Sequence, residues 1–171
     1  MYCAANFDDI KHALEHIKEE NPKTMIIAAG TSMGGNLLAG YLAATGKDSL
    51  LDAAFTVSVL WDCVRGTKNL DEGWLNRKIS QQLCKMLVRL VRRHQHIFEQ
   101  YPEFVAGDLD RVKTIRDFDE HFTRKMFLFD SCDDYYRASS HQDKLHLIKV
   151  PLLTIQAADD MMALKKGKIQ Y

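Results

Sequence analysis

The chain has 171 residues, 46% of them apolar and 27% charged, and 23 lysines and arginines balance 23 aspartates and glutamates. That composition suits one globular domain or part of a larger one. Its zero net charge excludes a globally basic nucleic-acid binder and an acidic disordered tail. The chain has no apolar run of the roughly 18 residues that a membrane span needs. Met1–Asn6 has neither the basic start nor the apolar core of a signal peptide.

The four cysteines, Cys3, Cys63, Cys84 and Cys132, lie far apart without a C-x-x-C pair. Zinc needs clustered ligands, and a disulfide framework belongs to smaller secreted domains. Four reduced, mostly buried thiols in an intracellular protein are therefore expected, with no metal and no cofactor.

Phe7, Ile10, Leu14 and Ile17 recur at helical spacing, which predicts a helix over 7–20 with Asn6 as its N-cap and Asn21-Pro22 as its stop. Thr24–Ala29 is a short apolar run and reads as a buried parallel strand. Gly30-Thr31-Ser32-Met33-Gly34-Gly35 breaks the pattern. A helix follows over 36–45, closed by Gly46, and then a second apolar strand over 52–60. This alternation predicts an α/β architecture with a parallel sheet.

Residues 61–145 differ. Ile79, Leu83, Met86, Leu87, Leu90 and Val91 mark a long amphipathic helix over 75–98, with short helices over 110–129 and a polar, turn-rich stretch over 130–143. Val150–Gln156 returns to strand composition. The expected organisation is a core with the Gly turn (1–60), a helical cap insertion (61–145), a return to core strand and acidic turn (146–160), and a divergent tail (161–171).

Gly30-Thr31-Ser32-Met33-Gly34 is G-x-S-x-G, placed after an apolar strand and before an amphipathic helix. This is the context of a nucleophile elbow, in which a sharp turn lifts the serine hydroxyl above the sheet. Small residues at Gly30 and Gly34 are expected to let the turn form without clashes. The backbone N–H of Met33 would face a developing oxyanion. A serine nucleophile needs a base and an acid, in the chain order Ser, Asp or Glu, His. Asp159 and Asp160 follow the last strand, and Asp160 is the preferred candidate. No histidine follows Asp160, and no HGG-type oxyanion loop precedes the elbow. His94, His96 and His141 are not assigned a catalytic role. Trp61 and Trp74 are expected to pack the cap, and Tyr135 and Tyr136 to seat the insertion on the sheet. The basic stretch Arg89–His96 is too local to argue nucleic-acid binding.

The stretches Tyr2–Asn6, GTSMGGNLLAGYL (30–42), Trp61-Asp62, Thr114–Asp119, Phe122-Thr123, Asp133–Tyr136 and Val150–Asp160 together resemble the α/β-hydrolase superfamily. More narrowly they resemble its type 4 branch, which holds the α/β-hydrolase-domain proteins 1 and 3. The resemblance implies a serine hydrolase of carboxylic esters, with lipid or phospholipid acyl esters as substrates. It implies Ser32 as nucleophile, Asp160 as acid and residues 61–145 as the cap. It also implies membrane-surface association of full-length members through an N-terminal anchor that this sequence lacks. The chain reads as a fragment of an incomplete α/β-hydrolase fold, impaired on its own. The alternative is a non-catalytic truncated isoform that acts as a binding or regulatory partner.

Overall fold

A computed structural model describes residues 3–162. Helix α1 (Asp8–Glu20) leads to strand β1 (Ile27–Thr31), helix α2 (Ser32–Thr45) and strand β2 (Ala53–Val57). Strand β3 (Leu152–Ile155) returns about a hundred residues later. The three strands are parallel in the order β1-β2-β3. Ile27 stands opposite Ala53, Thr31 opposite Val57, and Val57 opposite Ile155. This is an α/β architecture, as the alternating pattern predicts.

The strands are shorter or shifted relative to the expected ones. The first begins at Ile27 rather than Thr24, because Asp52 precedes the partner strand and its carboxylate accepts the Ile26 N–H at 2.8 Å. It runs on to Thr31 because β2 continues opposite it to Val57. Asn6 does not cap α1 in the expected way. Phe7 occupies that position, and the Asn6 side chain accepts the Asp8 N–H at 2.9 Å instead. Gly46 does close α2, with φ 53° and its N–H donated to the Leu42 carbonyl.

Helices α1 and α2 cover one face of the sheet. Leu14, Leu38, Tyr41 and Leu42 pack there with Leu51 and Ala54. Each of these leucines contributes roughly 1.5–3 kcal/mol when fully buried. On the other face Ile27, Leu153 and Ile155 remain 65%, 61% and 51% exposed.

Between β2 and β3 the chain is helical. Helix α3 (Cys63–Asp71) starts at Asp62, whose side chain accepts the Arg65 N–H. Helix α4 (Trp74–Arg93) ends five residues earlier than expected, and a break at His94 separates it from the short α5 (Gln95–Phe98). Helix α6 (Ile115–Phe118) opens on a capping box between Thr114 and Asp117 and runs into a π-helical turn (Asp119–Thr123), followed by α7 (Arg124–Met126). The stretch expected to be turn-rich contains helix α8 (Cys132–Ala138), capped by Ser131 accepting the Asp134 N–H at 3.1 Å. This segment has its own core of Cys84, Val91, Leu109, Phe118 and Phe122, where the Phe118 and Phe122 rings lie 5.1 Å apart.

Two tryptophans depart from expectation. Trp61 is buried, but against Ala39 and Val59 of the core, with its indole N–H donated to Gln156 Oε1 at 3.1 Å. Trp74 is 79% exposed at the start of α4 rather than buried in the helical segment. All four cysteines are free and buried. No helix among the described residues is long and apolar enough to cross a membrane. The tail after Met162 lies outside the described residues.

Candidate active site

The last residue of β1 is Thr31 and the first of α2 is Ser32, so strand passes to helix without a connecting loop. Ser32 sits at φ 50°. A non-glycine residue in that region carries about 1–3 kcal/mol of strain and persists only where its surroundings hold it. Two glycines do the holding. A Cβ on Gly30 would stand 2.8 Å from the Gly34 carbonyl oxygen and from the Cα and N of Gly35. A Cβ on Gly35 would stand 2.8 Å from Val59 Cγ2. A Cβ on Gly34 would meet nothing within 4 Å. The sterically required pair is therefore Gly30 and Gly35, not Gly30 and Gly34.

The N-terminus of α2 carries no acidic residue in its first turn, and Thr31 makes no side-chain cap. Its leading N–H groups, that of Met33 among them, have no intrahelical acceptor and lie at the positive end of the helix dipole. Ser32 and Met33 are both exposed and both border a cavity of about 180 Å³.

Asp160 borders the same cavity from the turn after β3. It is half-buried, and its Oδ1 accepts the Met162 N–H at 2.9 Å. Asp159 is exposed and lies off the cavity. The structure thus brings Ser32, Met33 and Asp160 together and leaves Asp159 out.

Tyr135 and Tyr136 are buried in the α8 region and line this cavity too. The Tyr136 hydroxyl donates to Asp119 Oδ2 at 2.8 Å, and Thr123 Oγ1 donates to Asp119 Oδ1 at 2.6 Å. Burial pushes the Asp119 carboxyl up to about 6, against these two donors and the nearby Arg116. Asp119 is a second acid on the cavity that spacing arguments do not find. Its nearest signal is the Thr114–Asp117 capping box, which marks the helix start but not the direction of Asp119. Asn36, one turn into α2, is buried and donates to the Ser139 carbonyl at 2.9 Å, tying the elbow helix to the end of α8.

No histidine among the described residues lines the cavity. His141 is buried elsewhere, close enough to α2 that a Cβ on Gly40 would lie 3.0 Å from its Nε2. Burial, reinforced by Lys144, lowers its pKa to about 4 and keeps the ring neutral. Cys63 also lines the cavity, but burial pushes its thiol up to about 12, so it is no thiolate nucleophile at neutral pH. Among the described residues, no group of three or more His, Cys, Asp or Glu side chains is placed to hold a metal ion.

A strand-to-helix serine at positive φ on a parallel sheet, with an acid after a later strand on the same cavity, is the architecture of the α/β-hydrolases. A family model described as serine aminopeptidase, S33 matches residues 3–170, and the chain belongs to that family. Human phospholipase ABHD3 is 34% identical over 167 residues, which cover 95% of this chain and 39% of the relative. Protein abhd-3.2 of Caenorhabditis elegans is 33% identical over 159 residues, 93% of this chain and 42% of the relative. Monoacylglycerol lipase of Saccharomyces cerevisiae is 25% identical over 164 residues, 94% of this chain and 36% of the relative. The chain thus spans about two-fifths of the length of the curated relatives it matches. No solved structure matches the chain.

Proposed function

We propose that this chain carries the nucleophile and the acid of a serine hydrolase that cleaves lipid acyl esters. The observation behind this reading is Ser32, held at φ 50° between a parallel strand and a helix N-terminus on the cavity that Asp160 also lines. The substrate class rests on relatives named phospholipase and monoacylglycerol lipase. In this reading Ser32 Oγ attacks the ester carbonyl as its proton passes to a histidine base. The Met33 N–H donates to the oxyanion of the tetrahedral intermediate. Collapse expels the alcohol, and water then hydrolyses the acyl-serine. Asp160 would orient the base and stabilise its imidazolium form. Residues 61–145 would act as a cap, with Asp119, Tyr135 and Tyr136 facing the substrate space.

No histidine follows Asp160 in this sequence, so the chain alone is proposed to be impaired. Triad members act as a unit, and losing one removes most of the acceleration. The test is hydrolysis of a monoacylglycerol and of a phosphatidylcholine by the purified chain beside a full-length relative. Turnover at least about a thousandfold lower is expected, because losing the base alone costs nearly as much as losing the whole triad. Turnover equal to the relative's overturns the impairment.

One observation favours a second, non-catalytic reading, in which the chain is a binding or regulatory partner. The cavity has no histidine among its described lining residues, while the apolar face bearing Ile27, Leu153 and Ile155 is exposed. Stoichiometric association with a full-length relative, unaffected by Ser32→Ala, would support it.

A further inference from the structure

Helix α4 carries Arg77, Lys78, Lys85, Arg89, Arg92 and Arg93 and no aspartate or glutamate. All six cations are exposed. Lys78, Lys85, Arg89 and Arg93 form no ion pair among the described residues, whereas Arg92 pairs with Asp110 and Arg77 lies near Asp71. At 1.5 Å per residue the helix is about 30 Å long, so this is an extended positive rod.

The same outward side carries Trp74, Leu75, Met86 and Leu90, which are 79%, 50%, 57% and 55% exposed. With 100° between successive residues, Lys78, Gln82, Lys85, Arg89 and Arg93 form the central stripe. Leu75 shares the edge of that stripe with Arg93, Met86 and Leu90 flank it on the same side, and Trp74 flanks it on the other. The opposite side of α4 is buried through Ser80, Cys84 and Val91. There Ser80 Oγ accepts the N–H of Ile115, and Ile115 lines the Ser32 cavity. One helix thus faces the cavity wall on one side and presents cations with large apolar side chains on the other.

We propose that the outer face of α4 docks on an anionic lipid surface. Cations interleaved with Trp, Leu and Met are what an interfacial helix needs, because the cations meet lipid phosphates while the apolar side chains enter the headgroup boundary. Lys85, Arg89, Arg92 and Lys113 also line a cleft of about 330 Å³ together with Val88, Leu109 and Val112, large enough for one lipid phosphate. Nucleic acid fits the cations but gives Leu75, Met86 and Leu90 nothing to bury against, since strand-binding surfaces use stacked aromatics. A second copy would bring like charge against like. Charge and exposure alone carry this inference, with no part for Ser32 as a nucleophile, so failure of either leaves the other standing.

The test is co-sedimentation of the chain with phosphatidylcholine vesicles and with phosphatidylserine-rich vesicles. At least about tenfold more protein is expected on the anionic vesicles at low salt, falling off near 0.5 M salt. Trp74 fluorescence should shift to the blue on binding, and Trp74→Phe should remove the shift. Lys85→Glu/Arg89→Glu/Arg93→Glu, all at exposed positions, should lower binding at least about tenfold at unchanged melting temperature. The milder Lys85→Gln/Arg89→Gln gives an intermediate loss and serves if the triple variant melts early. Equal binding to both vesicle types, binding indifferent to these changes, or tighter binding to single-stranded RNA than to anionic vesicles overturns the proposal.

Discussion

A side chain on Gly30 would stand 2.8 Å from the Cα and the amide nitrogen of Gly35, so the end of β1 and the first turn of α2 touch backbone to backbone. This contact holds Ser32 at its positive φ, because the strand can meet the helix so closely only where neither residue has a Cβ. Gly30→Ala and Gly35→Ala should each cost roughly 1–3 kcal/mol, as overpacking does, and both should move Ser32. Gly34→Ala has open space and a helical backbone, so it should change stability by less than about 1 kcal/mol, in the stabilising direction. Thermal melting of the three variants checks the order. Equal losses at all three positions would mean that the contact is not what shapes the turn.

Two buried groups give opposing pH dependences. The Asp119 carboxyl is raised to about 6 from 3.8 by burial. Between those values the unfolded chain has released a proton that the folded chain keeps. Stability therefore falls as pH rises through that window, by at most about 3 kcal/mol. His141 is lowered from 6.5 to about 4, also chiefly by burial. Below 6.5 the unfolded chain takes up a proton that the folded chain refuses until about pH 4. Stability falls by a similar amount as pH falls through that range. The two slopes oppose one another across pH 4–6. Asp119→Asn should expose the histidine slope and make the protein steeply less stable on acidification. His141→Gln should expose the carboxyl slope and do the reverse. Melting curves across this range decide the matter, and parallel pH profiles for both variants would refute it.

The thiols should be unreactive in the native state. Cys63 is pushed up to about 12, Cys84 and Cys132 to about 11, and Cys3 is raised as well, in each case chiefly by burial. An aromatic disulfide reagent at pH 8 should titrate almost no thiol in the folded protein and all four in denaturant. Rapid reaction of one thiol in the folded chain would show that its burial is not maintained.

How far the fold could be read in advance depended on whether the signal was local. The elbow was legible because an apolar run, a glycine cluster and an apolar helix are contiguous, and Ser32 lies where they meet. The turn that carries Asp160 was legible because it follows the apolar run of Val150–Gln156. The exact ends of β1 were not, because they depend on where Asp52 and Val57 place the neighbouring strand. Helix α8 hides in polar composition, although Ser131 and Asp134 spell its N-cap. Asp119 and Tyr136 come to the cavity only through packing between segments, which no spacing encodes. Trp74 reads as a core residue by size, yet it faces outward because α4 turns Ser80, Cys84 and Val91 inward.

The measurement that tests Ser32 most directly is reaction of the purified chain with a fluorophosphonate, followed by peptide mapping of the adduct. The account predicts one slow adduct, on Ser32, absent from Ser32→Ala and lost when the chain is unfolded. No adduct at all, or adducts spread at equal rate over other serines, would contradict it.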